Sequence, residues 1–190
     1  MEVALDPLNQ SIANRLRQLR LERALTLDDL AAQSGVSRAM ISRIERAEAS
    51  PTAVLLARLC SALGQSLSSF FETPDESASP LARRANQQTW RDPATGYVRR
   101  SVSASGTGSR VDIVEVDFPP GAVVRFPQLS GARNQSQHLW LFDGAMAVTA
   151  AGRRYDLLAG DCLYMNIGDE HIFENPMATP ARYAIVIDRG

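Results

Sequence analysis

The hydrophobic pattern of the chain changes its period once, and this change constrains the fold more than any other feature. Up to about Phe71, apolar residues recur every three or four positions, as on short amphipathic helices. Later they form short β-rich runs such as RVDIVEVDF and RYAIVI, separated by PPG, DG and AAG turn signals. The pattern predicts an α+β chain of two domains, an all-α helical bundle followed by an all-β domain.

The change falls at TPDESASP, a stretch rich in proline, serine and acids that has neither period. We therefore predict a helical domain over residues 8–72, a linker over 73–88 and a β-domain over 89–190. A chain of 190 residues is long enough for two small domains, each with its own core.

The overall composition narrows the class of protein. The net charge of -1 argues against a general polyanion binder but leaves room for a local basic patch. No apolar run approaches the length of a membrane span, and the first residues lack a basic-then-apolar signal sequence. We expect a cytoplasmic protein that makes no membrane contact.

The segment LTLDDLAAQSGVSRAMISRIERAEASP carries the signals of two helices joined by a tight turn. Thr26 and Asp29 have the spacing of a capping box, Gly35 breaks the chain, and Ser37 is placed to cap the next helix. Ala31, Val36 and Ile41 are spaced to pack where the two helices cross. The segment predicts a helix-turn-helix.

This segment resembles the phage-repressor-like helix-turn-helix family, also called the xenobiotic-response-element (XRE) family. The resemblance covers about the first 70 residues and departs visibly at Ala47, where the family usually has glycine. It implies a sequence-specific transcriptional regulator that binds double-stranded DNA, with repression as the default mode. It also implies a structural ion pair between Arg20 and Glu45.

The same resemblance assigns the residues that face DNA. In such a motif the first turn of the second helix reads base edges while flanking groups hold phosphates. Arg38 is the candidate for a two-point contact with guanine, and Ala39 for a thymine methyl. The predicted major-groove residues are Ser37, Arg38, Ala39 and Arg43, and the predicted phosphate contacts are Thr26 and Arg46.

The stretch AGDCLYMNIGDEHIFENP in the β-domain resembles the second cupin motif. Gly160, Gly168, His171 and Asn175 match that motif, whereas Asn166 replaces its proline. Upstream, FPPGAVV and QHLWLFDGAMAV resemble the elements that flank the first cupin motif, with Gly144 as its closing glycine. The resemblance implies a C-terminal cupin double-stranded β-barrel.

The metal ligands of cupins are largely missing from this sequence. The position of the family's glutamate holds Gln137, and Pro127 and Leu129 stand where its two histidines are expected. His138 should point away from the barrel interior if Gln137 points inward. One inward histidine, His171, and a neutral amide cannot hold a divalent transition metal firmly. We predict neither a metal nor another cofactor.

A barrel without metal can still enclose a ligand. Regulators that join a repressor-like domain to one cupin sense a small metabolite, such as an amino acid or a polyamine, and the resemblance implies the same here. Strand alternation makes Gln137, His171 and Phe173 candidate ligand contacts, with Arg125, Tyr164 and Asn175 as further candidates. Arg125 could clamp a carboxylate if it points inward, although a solvent-facing arginine is the more common case.

Two readings compete with a sensor. The first is a cupin isomerase or dioxygenase fused to a DNA-binding module, which needs catalytic carboxylates or a metal triad. The second is a barrel that serves only for dimerisation, which needs a filled apolar interior. Gln137 and His171 argue against a filled core. We expect a non-enzymatic homodimer, joined through its barrels, on a pseudo-palindromic operator.

Overall fold

A computed structural model describes residues 7–71, 79–129 and 135–189 of the chain. The helical part holds five helices in this range. They are α1 (Pro7–Glu22), α2 (Leu27–Ser34), α3 (Arg38–Glu45), α4 (Ala53–Ala62) and α5 (Leu67–Phe70). No helix in these three ranges combines the length and the apolar character that crossing a membrane requires.

The helix boundaries follow the capping signals. The hydroxyl of Thr26 accepts the amide N–H of Asp29 while the Asp29 carboxylate accepts the Thr26 N–H, which completes the capping box of α2. Gly35 ends α2 with φ of 66°, a left-handed conformation that suits glycine. Ser37 and Thr52 cap α3 and α4. The predicted signals at Thr26, Gly35 and Ser37 are confirmed.

The helical core is apolar and fully covered. Val36 and Ile41 are buried at the crossing of α2 and α3, with Ala31 half-buried beside them. The side chains with no more than 2% exposure in this domain include Leu16, Leu30, Ile41, Leu56, Leu59 and Leu63. Helices this short depend on such packing for their stability.

The second part is all β. Its strands are β1 (Thr89–Arg91), β2 (Val98–Ser101), β3 (Val111–Phe118), β4 (Val123–Phe126), β5 (Ser136–Asp143), β6 (Ala145–Ala150), β7 (Arg153–Leu158), β8 (Cys162–Asn166), β9 (His171–Glu174) and β10 (Ala181–Asp188). They form a six-stranded sheet, β1-β2-β3-β10-β5-β8, and a four-stranded sheet, β4-β9-β6-β7. The strand pairs within these sheets are antiparallel.

The two sheets enclose the core of the β-domain. Along β5, Gln137, Leu139 and Leu141 are buried whereas His138 and Trp140 are exposed, so alternate side chains face the interior and the solvent. At the turn between β5 and β6, a Cβ on Gly144 would lie 2.6 Å from the carbonyl oxygen of Pro180, so only glycine fits. The α+β fold class, with a helical bundle followed by an all-β domain, is confirmed.

The two parts share a contact surface centred on α4. The Ala53 N–H, in the first turn of α4, donates to Oδ1 of Asp92 at 2.8 Å, and Asp92 belongs to the β1–β2 hairpin. Phe71 and Trp90 pack with ring centroids 6.1 Å apart. Residues 73–78 of the predicted linker lie outside the described residues, and the proposed domain boundaries remain a prediction.

Candidate nucleic-acid interface and barrel cavity

Helix α3 has a buried apolar side and an exposed basic side. Ile41 and Ile44 are at most 1% exposed and face the helical core. The opposite side carries Arg38, Ala39 and Arg43, which are all exposed. An exposed helix with cations at its first turn can enter a major groove. The structure therefore brings the predicted base-reading residues together on one surface, and their contacts with bases remain a prediction.

Two of the arginines on this surface have acidic neighbours. Nε of Arg38 lies 3.2 Å from Oδ1 of Asp28, with both side chains well exposed. Arg46 forms a two-point pair with Glu48 and also donates to Ser42. The hydrogen bonds to Glu48 raise the pKa of Arg46. Because exposed ion pairs are weak, a phosphate or a base can displace these carboxylates.

The two hydroxyl residues of the predicted interface already have structural roles. Oγ1 of Thr26 donates to Oδ2 of Asp29 at 2.6 Å, and these bonds lower the pKa of the Asp29 carboxyl. Oγ of Ser37 accepts the Met40 N–H at 3.3 Å. Both residues are exposed at helix N-termini, so they lie beside the arginine surface. A DNA contact by either would have to coexist with its cap.

The predicted ion pair between Arg20 and Glu45 is confirmed. Nε of Arg20 donates to Oε1 of Glu45 at 2.7 Å, and Nη2 donates to Oε2 at 2.8 Å. A third bond reaches the Leu25 carbonyl, which ties α1 to the start of α2. The hydrogen bonds that Arg20 donates to Glu45 raise the pKa of Arg20. This pair holds α3 against α1 and is not available to DNA.

A cavity lies inside the β-barrel and extends to the helical domain. Its volume is about 90 Å³, which is room for several water molecules. Gln137, His171 and Phe173 line it, as strand alternation predicts. The far wall comes from α4, α5 and their connection, through Ala57, Ser61, Gln65, Ser66 and Leu67. The ligand-binding role of Gln137, His171 and Phe173 remains a prediction.

His171 is held in a defined orientation at the cavity wall. Its Nδ1 lies 2.8 Å from the carbonyl oxygen of Asp169, and its ring stacks on Phe126 with centroids 5.0 Å apart. Since a carbonyl only accepts, Nδ1 carries the proton and Nε2 is left as an acceptor in the neutral ring. Burial lowers the pKa of His171, partly opposed by the bond to Asp169.

Three predicted ligand contacts do not line the cavity. Arg125 is exposed and lines a separate surface groove beside the N-terminus of α4. Tyr164 is opposite His138 in the β5–β8 register, so both point outward. The Asn175 amide donates to the carbonyls of Phe118 and Thr179, which fixes the loop after β9. For these three residues, the expectation of a place in the cavity is corrected.

Several cavity residues were missed from the sequence. Arg99 on β2, Tyr97 just before it and Tyr183 on β10 all line the cavity and are buried. In the stretch VRRS, the sequence does not show that Arg99 faces inward and Arg100 outward. The contribution of α4 and α5 depends on domain docking, which no local pattern predicts.

The cavity does not fit the metal site of a cupin. Among the described residues, no three His, Cys, Asp or Glu side chains lie close enough together to hold a metal ion. His171 has Phe126 and Phe173 as ring neighbours, and Cys162 is exposed at the outer end of β8. One imidazole with the Gln137 amide is a weak donor set for a divalent transition metal.

The outward side of the six-stranded sheet is unusually apolar. We call it the outer aromatic face, and it consists of Ile113, His138, Trp140, Phe142, Tyr164 and Val186. Trp140 is 51% exposed and packs against Phe142, with ring centroids 4.9 Å apart. His138 and Tyr164 form a second ring pair at 5.1 Å. Contiguous exposed aromatic surface of this kind marks interaction sites.

Comparison with known proteins agrees with the helix-turn-helix and with the two-domain fold described above. Residues 16–70 match the family model described as Helix-turn-helix (HTH_3). The HTH-type transcriptional regulator PuuR of Escherichia coli K12 is 26% identical over 166 residues, which cover 86% of this chain and 87% of that protein. The regulator SutR of the same organism is 37% identical over 84 residues, 44% of this chain and 47% of that protein.

A crystal structure of an HTH_3 family transcriptional regulator from Vibrio cholerae shares the fold. It superposes with a TM-score of 0.76 at 22% identity and covers 95% of this chain and 96% of its own. The N-terminal domain of the present chain is thus an XRE-type helix-turn-helix domain. The whole chain has the organisation of a helix-turn-helix DNA-binding regulator, in which an all-β domain follows the helix-turn-helix domain.

Proposed function

We propose that this chain is a sequence-specific transcriptional regulator, acting in the cytoplasm as a repressor whose operator affinity depends on a small metabolite. The observation that carries the proposal is the exposed arginine surface of α3, held in place by the Arg20–Glu45 pair within a matched helix-turn-helix domain. Repression is the simplest mode, because a domain that occupies DNA can block polymerase without further contacts.

Selection from a random double-stranded DNA pool tests this proposal. The wild-type chain should enrich a palindromic consensus, whereas Arg38→Ala should lose or relax it, with about tenfold weaker binding to the wild-type site or more. Arg17→Ala is the matched control, since Arg17 is exposed on α1 and is not one of the predicted DNA contacts. No enrichment by the wild type, or an Arg38→Ala consensus equal to that of the wild type, contradicts the proposal.

The regulator is proposed to act as a homodimer joined through the outer aromatic face. Strand β10 crosses this face with Arg182 exposed at one end and Asp188 exposed at the other. Arg182 lies 3.7 Å from Glu115 of its own chain, and a two-fold axis between the two ends would also bring it towards the Asp188 carboxylate of the other copy, with aromatic rings between. The face is therefore complementary to itself, which suits a second copy of this chain.

Sedimentation at micromolar concentration tests the dimer. We expect Trp140→Glu to give a monomer, because a carboxylate would be buried at the centre of the interface. Leu158→Glu should remain dimeric, because Leu158 is 66% exposed on the other sheet. Arg182→Asp should weaken the dimer and Arg182→Asp with Asp188→Arg should restore it. A monomeric wild type, or a dimeric Trp140→Glu, is the contradicting result.

The cavity is proposed to hold the effector. A ligand changes operator affinity only if it favours one arrangement of the two domains. Support comes from α4 and α5, which form one wall of the cavity while α4 directly follows the DNA-reading helix in the chain. A ligand in this position contacts both domains at once. The signal can then pass through the wall of the cavity as well as through the linker over residues 73–88.

A non-enzymatic role is part of the proposal. The described cavity lining has no aspartate or glutamate and only one histidine, whereas cupin isomerases and dioxygenases need catalytic carboxylates or a metal triad. Stoichiometric iron, manganese or zinc in purified protein would argue for the enzyme. A barrel used only for dimerisation is disfavoured by the polar groups that face the cavity.

A further inference from the structure

The cavity holds an unusual set of polar groups for the interior of a small barrel. Arg99 is 5% exposed, and burial lowers the pKa of its guanidinium. Tyr97 and Tyr183 lie beside it, and burial raises the pKa of both phenols, so both stay neutral and keep their O–H donors. One end of the cavity therefore presents a cation together with two hydroxyl donors.

The described lining of the cavity contains no aspartate or glutamate that could neutralise the charge of Arg99. Asp112 favours the charged form of Arg99 through space, but Asp112 also lies 3.6 Å from Arg189 and does not line the cavity. A guanidinium carries five N–H donors, so Arg99 can bind a ligand in addition to its contacts with the protein. The field in the cavity favours an anion.

The rest of the lining is mostly apolar. Between the two sheets it is formed by Val116, Phe118, Val124, Phe126, Phe173, Ile185 and Ile187. Two further polar groups stand at this wall: the amide oxygen of Gln135, which is buried without a partner in the described protein, and Nε2 of His171. Buried acceptors without partners are costly, so a ligand that also carries a donor gains there.

We propose that the cavity is a binding site for a small organic carboxylate with an apolar body, anchored through its carboxylate on Arg99. This inference rests on the proposed function and names the chemical class of its effector. A charge-assisted, two-point bond to a guanidinium is stronger than a neutral bond, and the dry surroundings strengthen it further. A polyamine is excluded by the same chemistry, because it would place cations beside Arg99.

Calorimetric titration of the full chain at pH 7.5 with a matched panel tests the ligand class. The panel contains the compact acids propanoate and 2-methylpropanoate, the amide of each acid, propylamine and 1,4-diaminobutane. At least one acid should bind about tenfold tighter than its amide, and neither amine should bind. Equal binding of acid and amide, preference for an amine, or no binding by either acid overturns the proposal.

Substitutions then locate the anchor. Arg99→Met should weaken binding of the acid by about tenfold or more and leave binding of the amide unchanged. Arg99→Lys keeps the charge and should retain part of the preference for the acid, even if Arg99→Met disturbs folding. Arg125→Met, on an exposed arginine outside the cavity, is the matched control and should bind as the wild type does. Loss of acid binding in Arg125→Met alone overturns the anchor on Arg99.

Binding to the operator that the DNA selection yields distinguishes failure of the proposed regulator function from failure of the proposed ligand class. A chain that binds its operator but no acid is a regulator with a different effector, so only the ligand class fails. A chain that binds acids through Arg99 but selects no operator has lost the proposed function and kept the site. When both hold, a saturating acid should shift the operator affinity of the wild type and leave that of Arg99→Met unchanged.

Discussion

Each domain buries an arginine, Arg20 in the helical domain and Arg99 in the β-domain. The surroundings of these two arginines differ. Arg20 is matched atom for atom by the Glu45 carboxylate, and this bonding raises its pKa. Arg99 faces a cavity, and burial lowers its pKa. The helical domain thus satisfies its buried charge internally, whereas the β-domain keeps polar groups directed at a space that a ligand can enter.

The largest effect on stability is expected when Arg20 is replaced. Arg20→Met leaves the Glu45 carboxylate, whose side chain is 8% exposed, without its partner and should lower the free energy of unfolding by about 3 kcal/mol. Arg99→Met removes a cation that lies 5.6 Å from the Phe71 ring centroid, but Asp112 keeps Arg189 as a neighbouring cation, so the loss should be smaller, about 1 kcal/mol. Urea denaturation measures both. If the two losses are equal, the contrast between the two arginines is wrong.

The next prediction concerns the junction between the domains. Asp92→Ala removes the acceptor of the buried Ala53 N–H and should cost about 2 kcal/mol. It should also separate the unfolding of the helices, followed by circular dichroism, from that of the barrel, followed by fluorescence. Asp92→Asn, which keeps an acceptor oxygen, should cost less. Coincident transitions in Asp92→Ala would show that the domains are joined mainly by their other contacts.

The pH dependence of stability sharpens the account of the cavity. Burial lowers the pKa of His171 in the folded state, so the unfolded chain binds its proton first as the pH falls. The wild type should therefore be fully stable above the ordinary histidine pKa of about 6.5 and lose stability as the pH falls below it.

Denaturation of His171→Gln should show less of this loss between pH 7.5 and 5.5. An equal loss in His171→Gln would mean that other groups cause the pH dependence.

The smallest expected change in stability concerns Ala47, which stands where the helix-turn-helix family usually has glycine. Ala47 follows α3 with φ of 58°, a left-handed conformation that strains alanine. Ala47→Gly should raise stability by roughly 0.5 kcal/mol, since the relieved strain is partly offset by the lost burial of a methyl. Ala151→Gly, at an exposed hairpin turn with φ of 47°, should gain slightly more. A loss in both variants would contradict the strain argument.

The two domains also differ in how far the sequence predicts them. The caps and the turn of the helix-turn-helix are local, so Thr26, Gly35 and Ser37 were predicted correctly from their neighbours in the sequence. The Arg20–Glu45 pair joins residues 25 positions apart and was predicted from the family resemblance. The barrel fold and the inward position of Gln137 follow from motif spacing and strand alternation.

The rest of the cavity depends on information that no local pattern carries. Tyr164 was misplaced because its direction is fixed by its register with β5, where it lies opposite His138. Arg99 was missed because neighbouring arginines on a strand are equivalent until the sheet has formed. The α4–α5 wall appears only when the two domains dock.

The placement of the two tryptophans gives this protein a built-in pair of optical reporters. Trp90 is 3% exposed and packs against Phe71 at the junction of the domains, whereas Trp140 is 51% exposed on the outer aromatic face. The emission of Trp90 should therefore shift to longer wavelength when the helices separate from the barrel, and that of Trp140 should shift to shorter wavelength when a second copy covers it. Two single-tryptophan variants, Trp90→Phe and Trp140→Phe, would let one fluorimeter follow both events without any attached dye.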